Sequence, residues 1–227
     1  MFFTRSDLLI YILEIPAILI ALTIHEFSHG FMSYKLGDPT AKEMGRLTLN
    51  PLKHIDPIGF VMMIVVGFGW SKPVPVNSRY YKRPRLYMAL TAAAGPISNF
   101  LLAFISMILM NFVGLIKTTP NTAGYYIVHA LYLFLYILAE LSIVLAVFNL
   151  IPIPPLDGSR ILFMFLPSKA YFGLMKYERY IQIGFFVVFF LLGRLSRILG
   201  IPSVLGIVSA WVMNGMQSLI SLIPIFA

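Results

Sequence analysis

The sequence predicts an all-α polytopic membrane protein with five to six transmembrane helices, and with a re-entrant or short β segment between the first two full spans. Hydrophobic residues make up 59% of the 227 residues and charged residues only 11%, whereas soluble domains carry about 25% charged residues. The mean hydropathy is +0.86. Several apolar stretches reach the roughly 20 residues that a helix needs to cross a bilayer. So little charge cannot cover a water-facing surface, and lipid is the expected solvent.

The first span is expected over residues 8–36, with His25, Glu26 and His29 near its end. Residues 1–7 lack a basic region, and no small-residue cleavage site follows the apolar stretch. A retained span is therefore expected rather than a signal peptide.

Residues 37–85 are expected to contain no full span. Alternation over residues 46–49 and turn signals at Asp38-Pro39 and Asn50-Pro51 favour short extended pieces over residues 37–57. The apolar stretch 58–69 is too short to cross a bilayer as a helix, so a re-entrant or interfacial hairpin is expected there. Residues 70–85 are basic and rich in proline.

Longer apolar stretches predict the remaining spans, at residues 86–116, 125–150, 180–192 with its flanks, and 202–227. A Pro-rich connection over 151–177 contains the pair Asp157-Gly158, and a sixth span is expected only if the apolar run 161–166 is longer than it looks. The length accommodates one domain over residues 1–227 and leaves no room for a sizeable soluble accessory domain.

The basic residues predict the orientation of the chain. Of the 17 Lys and Arg residues, 13 fall in the three segments 35–57, 72–85 and 151–179, which places these segments in the cytoplasm and the amino terminus outside. In a lipid-embedded chain such a charge indicates contact with anionic headgroups rather than with nucleic acid. Without organelle signals, a bacterial-type plasma membrane is the expected location.

The segment from His25 to His29 is an H-E-x-x-H motif. Residues four apart lie on one face of a helix, so both imidazoles can bind one ion. Glu26 can then take a proton from a metal-bound water. Ionisable groups in an apolar span are costly unless they are paired or liganded, which favours a metal over two unrelated core histidines. The chain has no Cys, so the motif predicts one Zn²⁺ held without thiolates.

Two histidines leave a catalytic zinc site one protein ligand short. Topology favours Asp157, because it follows the cytoplasmic end of the third span while His29 lies near the cytoplasmic end of the first. The other acidic and imidazole side chains that were weighed for this position are His54, Glu140, His129, Asp56 and Glu14.

Three motifs together resemble the site-2 protease family of intramembrane zinc metalloproteases. They are the H-E-x-x-H motif, the element from Gly95 to Asn99, and the run from Asn149 to Gly158 that ends in L-D-G. The resemblance implies that His25, His29 and Asp157 bind zinc and that Glu26 is the general base. It also implies that Asn149 positions substrate or the developing oxyanion and that Asn99 supports packing or the site from a neighbouring helix.

The chain resembles a minimal subgroup of that family, without a PDZ or CBS domain. Within this subgroup His54 is expected to act as a fourth ligand, a proton shuttle or a substrate contact, unless it is simply a loop histidine at the membrane interface. The substrate implied is a single-span membrane protein. An unwound substrate could pair with an exposed strand edge, and residues 47–49 and 74–77 are predicted edges.

Two other classes of protein were weighed. A zinc transporter or metal sensor should carry polar residues at successive depths on several spans, whereas the polar groups here cluster at one level. A structural scaffold fits the small residues Ala92 to Gly95, which favour close helix packing, but it does not explain a buried H-E-x-x-H motif.

Overall fold

In a computed structural model, residues 5–66 and 69–226 are described, and they form eight α-helices. The amino-terminal residues 1–4, the tip of the expected hairpin at residues 67–68, and residue 227 lie outside the described residues. The helices are α1 (Arg5–Lys35), α2 (Thr40–Glu43), α3 (Pro57–Val66), α4 (Pro84–Gly114), α5 (Ala123–Asn149), α6 (Asp157–Phe165), α7 (Ser168–Leu199) and α8 (Val204–Ile220).

Four helices are long and apolar enough to cross a membrane. The spans are Leu9–Lys35, Pro84–Gly114, Ala123–Asn149 and Gly173–Ser196. The stretch 202–227 forms the shorter apolar helix α8 of 17 residues, because the chain turns after Ile220. The apolar run 161–166 falls within the nine-residue α6 and its end, so the sixth span is not seen in the described chain.

Helix α4 lies at the centre of the bundle, where it contacts α1, α5, α6 and α8. Its faces carry small side chains such as Ala103, which let neighbouring helices approach closely. Ala103 and Met107 pack with Ala139 and Ile143 of α5 in one core cluster. By contrast, none of the apolar window of α7 is buried, against 28 to 39% of the windows of α1, α4 and α5.

The prediction of a short β segment between the first two spans is wrong for the described residues. Within residues 5–66 and 69–226 the structure has no strand, only an isolated antiparallel bridge between Ile55 and Ser71. Short helical turns replace the extended pieces, because Asn50 caps the turn Pro51–Lys53 through a hydrogen bond from the Leu52 N–H at 3.0 Å. Pro73 and Pro75 lack the donors that a strand ladder needs.

Residues 57–66 form the helix α3, and the chain at Gly69 and Trp70 lies beside Gly59 near the start of that helix. Asp56 caps α3 by accepting hydrogen bonds from the N–H groups of Ile58 and Gly59 at 3.0 and 2.9 Å. The returning chain then passes so close that a Cβ on Gly59 would lie 2.2 Å from the carbonyl oxygen of Trp70. Only a residue without a side chain fits there, and the depth of this segment in the membrane stays a prediction.

A buried carboxylate fastens the loops below α1. Asp38 has no exposed surface and accepts hydrogen bonds from the Ser33 hydroxyl at 2.8 Å, the Thr40 N–H at 3.0 Å and the Asn77 N–H at 2.7 Å. Burial alone would raise the pKa of Asp38, but these hydrogen bonds outweigh it and lower the pKa below its usual value.

We expect Asp38→Asn to make stability less dependent on acid pH. Because the folded-state pKa lies below the unfolded value of about 3.9, the ionised Asp38 stabilises the fold above that pH, and this contribution is lost as the pH falls through the folded-state pKa. Thermal unfolding in detergent should show a variant about 1–3 kcal/mol less stable near neutrality, with a gap that closes below about pH 4. A gap of constant size across the titration would contradict this assignment.

Candidate metal centre

The two histidines of the H-E-x-x-H motif lie one turn apart on α1 and face the carboxylate of Asp157. The imidazole centroids of His25 and His29 are 4.6 Å apart, with their planes at 88°. Oδ2 of Asp157 lies 3.1 Å from Nε2 of His25 and 3.2 Å from Nε2 of His29. Across the part of the chain that the structure describes, these three residues form the one group of His and carboxylate ligands close enough to share an ion.

A tight turn after α5 brings Asp157 to the histidines. Helix α6 begins at Asp157 and packs against α4. A Cβ on Gly158 would lie 2.2 Å from the carbonyl oxygen of Leu150, so only glycine allows the chain to fold back this closely on the end of α5. The Ser159 side chain donates to the Leu156 carbonyl at 2.7 Å and secures the first turn of the new helix.

The arrangement of these atoms fits a bound cation. Nδ1 of His29 lies 2.8 Å from the carbonyl oxygen of Thr91, which can only accept, so this nitrogen carries the proton. In the neutral ring Nε2 is then an acceptor that faces a carboxylate oxygen, and two acceptors repel unless a cation or a proton lies between them. Oδ2 of Asp157 is buried, and within residues 5–66 and 69–226 it has no hydrogen-bond partner besides its contacts with the two imidazoles.

The distances and charge fit zinc in particular. Zinc bonds to imidazole nitrogen and carboxylate oxygen are about 2.0–2.2 Å, so tetrahedral ligand atoms are separated by a little over 3 Å, as they are here. Burial raises the pKa of Asp157, but imidazoles that carry protons in place of a metal donate hydrogen bonds to it and lower the pKa to about 2. Zinc in the same position would likewise bind a deprotonated carboxylate.

Gly95 of α4 makes room for both imidazoles. A Cβ at this position would lie 2.5 Å from Cε1 and Nε2 of His29 and 2.7 Å from Cε1 of His25. From the sequence, Gly95 was expected to serve helix packing, and this contact was not predicted. Two signals were available: Gly95 follows the run Ala92 to Ala94, and it begins the element up to Asn99 that carries the family resemblance.

Glu26 is buried, with 6% of its surface exposed, and both of its carboxylate oxygens accept hydrogen bonds from the segment 70–76. The Ser71 hydroxyl donates to Oε1, and the Val74 N–H donates to Oε2 at 3.0 Å. No motif in the sequence had pointed to Ser71. The prediction that residues 74–77 offer a free edge is wrong for Val74, whose N–H is engaged by Glu26.

A cavity of about 800 Å³ opens beside these residues. Its lining includes the three ligand side chains, Glu26 and Asn149, together with residues of the segment 70–76 and apolar side chains of α7. The Asn149 amide nitrogen donates to the Leu145 carbonyl at 2.9 Å. Asn149 thus lines the same cavity as the histidines and Asp157, and its role stays a prediction.

Among the described residues, neither Asn99 nor His54 lines the cavity that contains the metal ligands. Asn99 is fully buried, and its amide atoms have no hydrogen-bond partner in the described chain. His54 is also buried, with Nε2 2.8 Å from the Thr48 carbonyl oxygen. It lies outside the group of ligands that can share an ion.

The other residues weighed for the third ligand lie elsewhere. His129 and Glu140 are exposed on α5, and His129 stacks on Tyr125 with ring centroids 6.0 Å apart. Asp56 is used as the cap of α3. Glu14 lies on α1 and is likewise absent from the ligand group.

Comparison with known proteins agrees with this geometry. Peptidase family M50 matches residues 14–193. The chain is 43% identical over 175 residues to YwhC of Bacillus subtilis (strain 168), which covers 76% of this chain and 77% of YwhC.

More distant relatives include Rip2 of Mycolicibacterium smegmatis, 31% identical over 66% of this chain and 55% of Rip2. A third is MJ0611 of Methanocaldococcus jannaschii, 29% identical over 70% of this chain and 74% of that protein. The names of all three contain the words zinc metalloprotease, and no solved structure matches. The resemblance to the site-2 proteases is thereby confirmed: the chain belongs to peptidase family M50 and is a zinc metalloprotease with membrane-spanning helices.

Proposed function

We propose that the chain is an intramembrane protease that hydrolyses peptide bonds in or near the transmembrane segments of single-span membrane proteins. The observation that carries this proposal is the contact of one Asp157 oxygen with both imidazoles of the H-E-x-x-H motif, next to the buried Glu26 and at the wall of a large cavity. His25, His29 and Asp157 hold one zinc ion, and the whole chain 1–227 acts as a single domain.

The residues around the ion divide the chemistry between them. Bound zinc supplies Lewis acidity, which lowers the pKa of water and polarises a carbonyl. Glu26 accepts the proton of the attacking water and returns a proton to the leaving amine. Asn149 is at the cavity wall, where its amide can orient a substrate carbonyl or the developing oxyanion. Asn99 and His54 act from outside the cavity lining, as packing supports of the site.

The form of the cavity supports a peptide in extended conformation. A helical substrate hides its peptide bonds within its own hydrogen bonds, so cleavage requires local unwinding. Unpaired backbone groups at membrane depth need polar partners or water. The segment 70–76 lines the cavity beside the ligands. Apolar side chains of α5 and α7, such as Phe148 and Phe186, form the opposite surface, which suits the side chains of a transmembrane segment.

The location within the membrane is also a proposal. The apolar spans predict insertion into a membrane. The positive charge of the segments 35–57, 72–85 and 151–179 favours a cytoplasmic position for these three loops. The amino terminus is then outside, the active site lies near the cytoplasmic face, and a bacterial-type plasma membrane is the host.

The test is cleavage of a single-span substrate by purified wild type and by Glu26→Gln. We expect the variant to keep one zinc per chain, because Glu26 is not a ligand in this assignment, and to lose at least about a hundredfold in kcat. Zinc is measured by elemental analysis and cleavage by gel mobility. His129→Gln, an exposed change on α5, is the control and should cleave like wild type.

A zinc transporter or sensor is the competing function, and the same experiment separates the two. Such a protein binds zinc without cutting the substrate. If it is a transporter, the wild type should carry zinc into liposomes. A wild-type protein that holds zinc and leaves several single-span substrates intact would remove the protease proposal.

A further inference from the structure

The Glu26 carboxylate is held by a segment that is remote from its own helix. Its two oxygens accept one hydrogen bond each, from the Ser71 hydroxyl and the Val74 N–H. Both donors belong to the stretch between α3 and α4, so a single stretch of chain fixes both ends of the carboxylate. A buried carboxylate is costly unless hydrogen bonds satisfy it, and here one segment provides them.

That segment is itself anchored on its other side. Ser71 forms the antiparallel bridge with Ile55, and the Lys72 N–H donates to the His54 carbonyl at 2.8 Å. The buried guanidinium of Arg46 donates to the Lys72 carbonyl at 2.7 Å. The loop 46–55 therefore braces residues 71 and 72 against α1, and it gives His54 and Arg46 a structural use.

The two prolines complete the arrangement. Pro73 and Pro75 flank Val74 and have no N–H of their own, so the Val74 N–H is the sole backbone donor within residues 73–75. Their rings also restrict the backbone on either side of that donor. A segment of this kind loses little conformational freedom when it holds a carboxylate in place.

Two donors leave Glu26 able to react. Each carboxylate oxygen offers about two acceptor sites, so one hydrogen bond on each oxygen leaves a free lone pair to take a proton. The bonds fix the plane of the carboxylate and leave one lone pair on each oxygen. A general base must lie within hydrogen-bond reach of the proton it removes, so the orientation of this plane decides how well it works.

From these contacts we infer that Ser71 is a positioning residue for the general base. Together with the Val74 N–H it sets the orientation of the Glu26 carboxylate, and the brace through Ile55, Lys72 and Arg46 keeps this pair of donors in place. This inference rests on the proposed function for its catalytic consequence, but the holding contact exists independently of any substrate.

The kinetic test compares Ser71→Ala, Ser71→Thr and Ser28→Ala. Ser28 belongs to the same H-E-x-x-H helix, and its hydroxyl donates to the Ile24 carbonyl at 2.7 Å, so its replacement is the matched control. We expect Ser71→Ala to lower kcat about tenfold, the effect of one lost hydrogen bond to a charged group, with KM and zinc content within about twofold of wild type. Ser71→Thr keeps the hydroxyl and should restore most of the rate.

Hydrogen exchange supplies a readout that does not depend on activity. In the purified full-length protein, the Val74 amide is expected to exchange slowly because Glu26 accepts its hydrogen bond. Glu26→Ala should speed exchange in the peptide covering residues 70–77 by about tenfold or more, whereas Ser28→Ala should not.

The outcomes distinguish the two proposals. If exchange is faster in Glu26→Ala but neither the wild type nor any variant cleaves a substrate, the contact between Glu26 and Val74 is supported and the protease function is not. Three results would each overturn the role of Ser71. They are full kcat in Ser71→Ala, a tenfold loss of kcat that Ser71→Thr does not reverse, and unchanged hydrogen exchange at residues 70–77 in Glu26→Ala.

Discussion

Asp157→Asn is expected to lower zinc affinity by at least about a hundredfold and to reduce cleavage to background. The substitution keeps the shape of the side chain but removes the anionic oxygen that meets both imidazoles at 3.1 and 3.2 Å. A neutral amide binds zinc weakly, and losses of even outer-shell partners cost roughly 10- to 100-fold in affinity. Competition with a fluorescent zinc chelator measures the affinity, and substrate cleavage measures the activity.

Asp56→Asn is the matched control for that change. Asp56 accepts hydrogen bonds from the first N–H groups of α3, and asparagine caps a helix about as well as aspartate. Zinc affinity and stability should therefore stay near wild type. Zinc bound by Asp157→Asn as tightly as by the wild type would show that the third ligand lies elsewhere.

Gly95→Ala should also weaken zinc binding, although it removes no ligand. The added methyl group would lie 2.5 Å from the imidazole of His29 and 2.7 Å from that of His25, closer than carbon atoms can approach. The histidines or α4 must shift, and both rings have little freedom because they meet Asp157. We expect zinc affinity to fall by at least about tenfold, as for other disturbances of ligand orientation, and cleavage to fall with it.

A second glycine provides the control, because its replacement by alanine should stabilise the protein rather than damage it. Gly184 lies inside α7, and a Cβ there would meet nothing within 4 Å. Alanine is favoured over glycine inside a helix by roughly 0.5–1 kcal/mol, so Gly184→Ala should leave zinc binding unchanged and slightly raise the thermal stability in detergent. If Gly95→Ala binds zinc like wild type, the close approach of α4 to the histidines is not required.

The core of the site could be predicted because its residues are close in sequence or lie at one depth. His25, Glu26 and His29 share one helix, and helix periodicity alone puts the two imidazoles on one face. Asp157 could be selected among several acidic residues because topology places the ends of the first and third spans on the same side. The structure brings these ligands together as expected.

The contacts that hold the site in shape could not be predicted in the same way. Gly95 meets the imidazoles from another helix, and Ser71 meets Glu26 across 45 positions of sequence. No periodicity relates such pairs. The expected β segment was wrong because alternation over residues 46–49 indicates strands only if a partner strand can pair, and the prolines at 73 and 75 remove that possibility.

Helix α7 differs from the other spans, since none of its apolar window is buried by protein. Its contacts with the bundle include Phe185 and Phe189 against Phe148, with ring centroids 6.0 and 5.1 Å apart, and the ion pair of Glu178 with Arg160 at 2.8 Å. Within a bilayer, acyl chains replace any apolar neighbour that the span of α7 loses, so its outward displacement exposes no apolar surface to water. Moving this wall of the cavity sideways in the membrane consequently costs little free energy. The width of the cavity can therefore adapt to the bulk of an incoming segment.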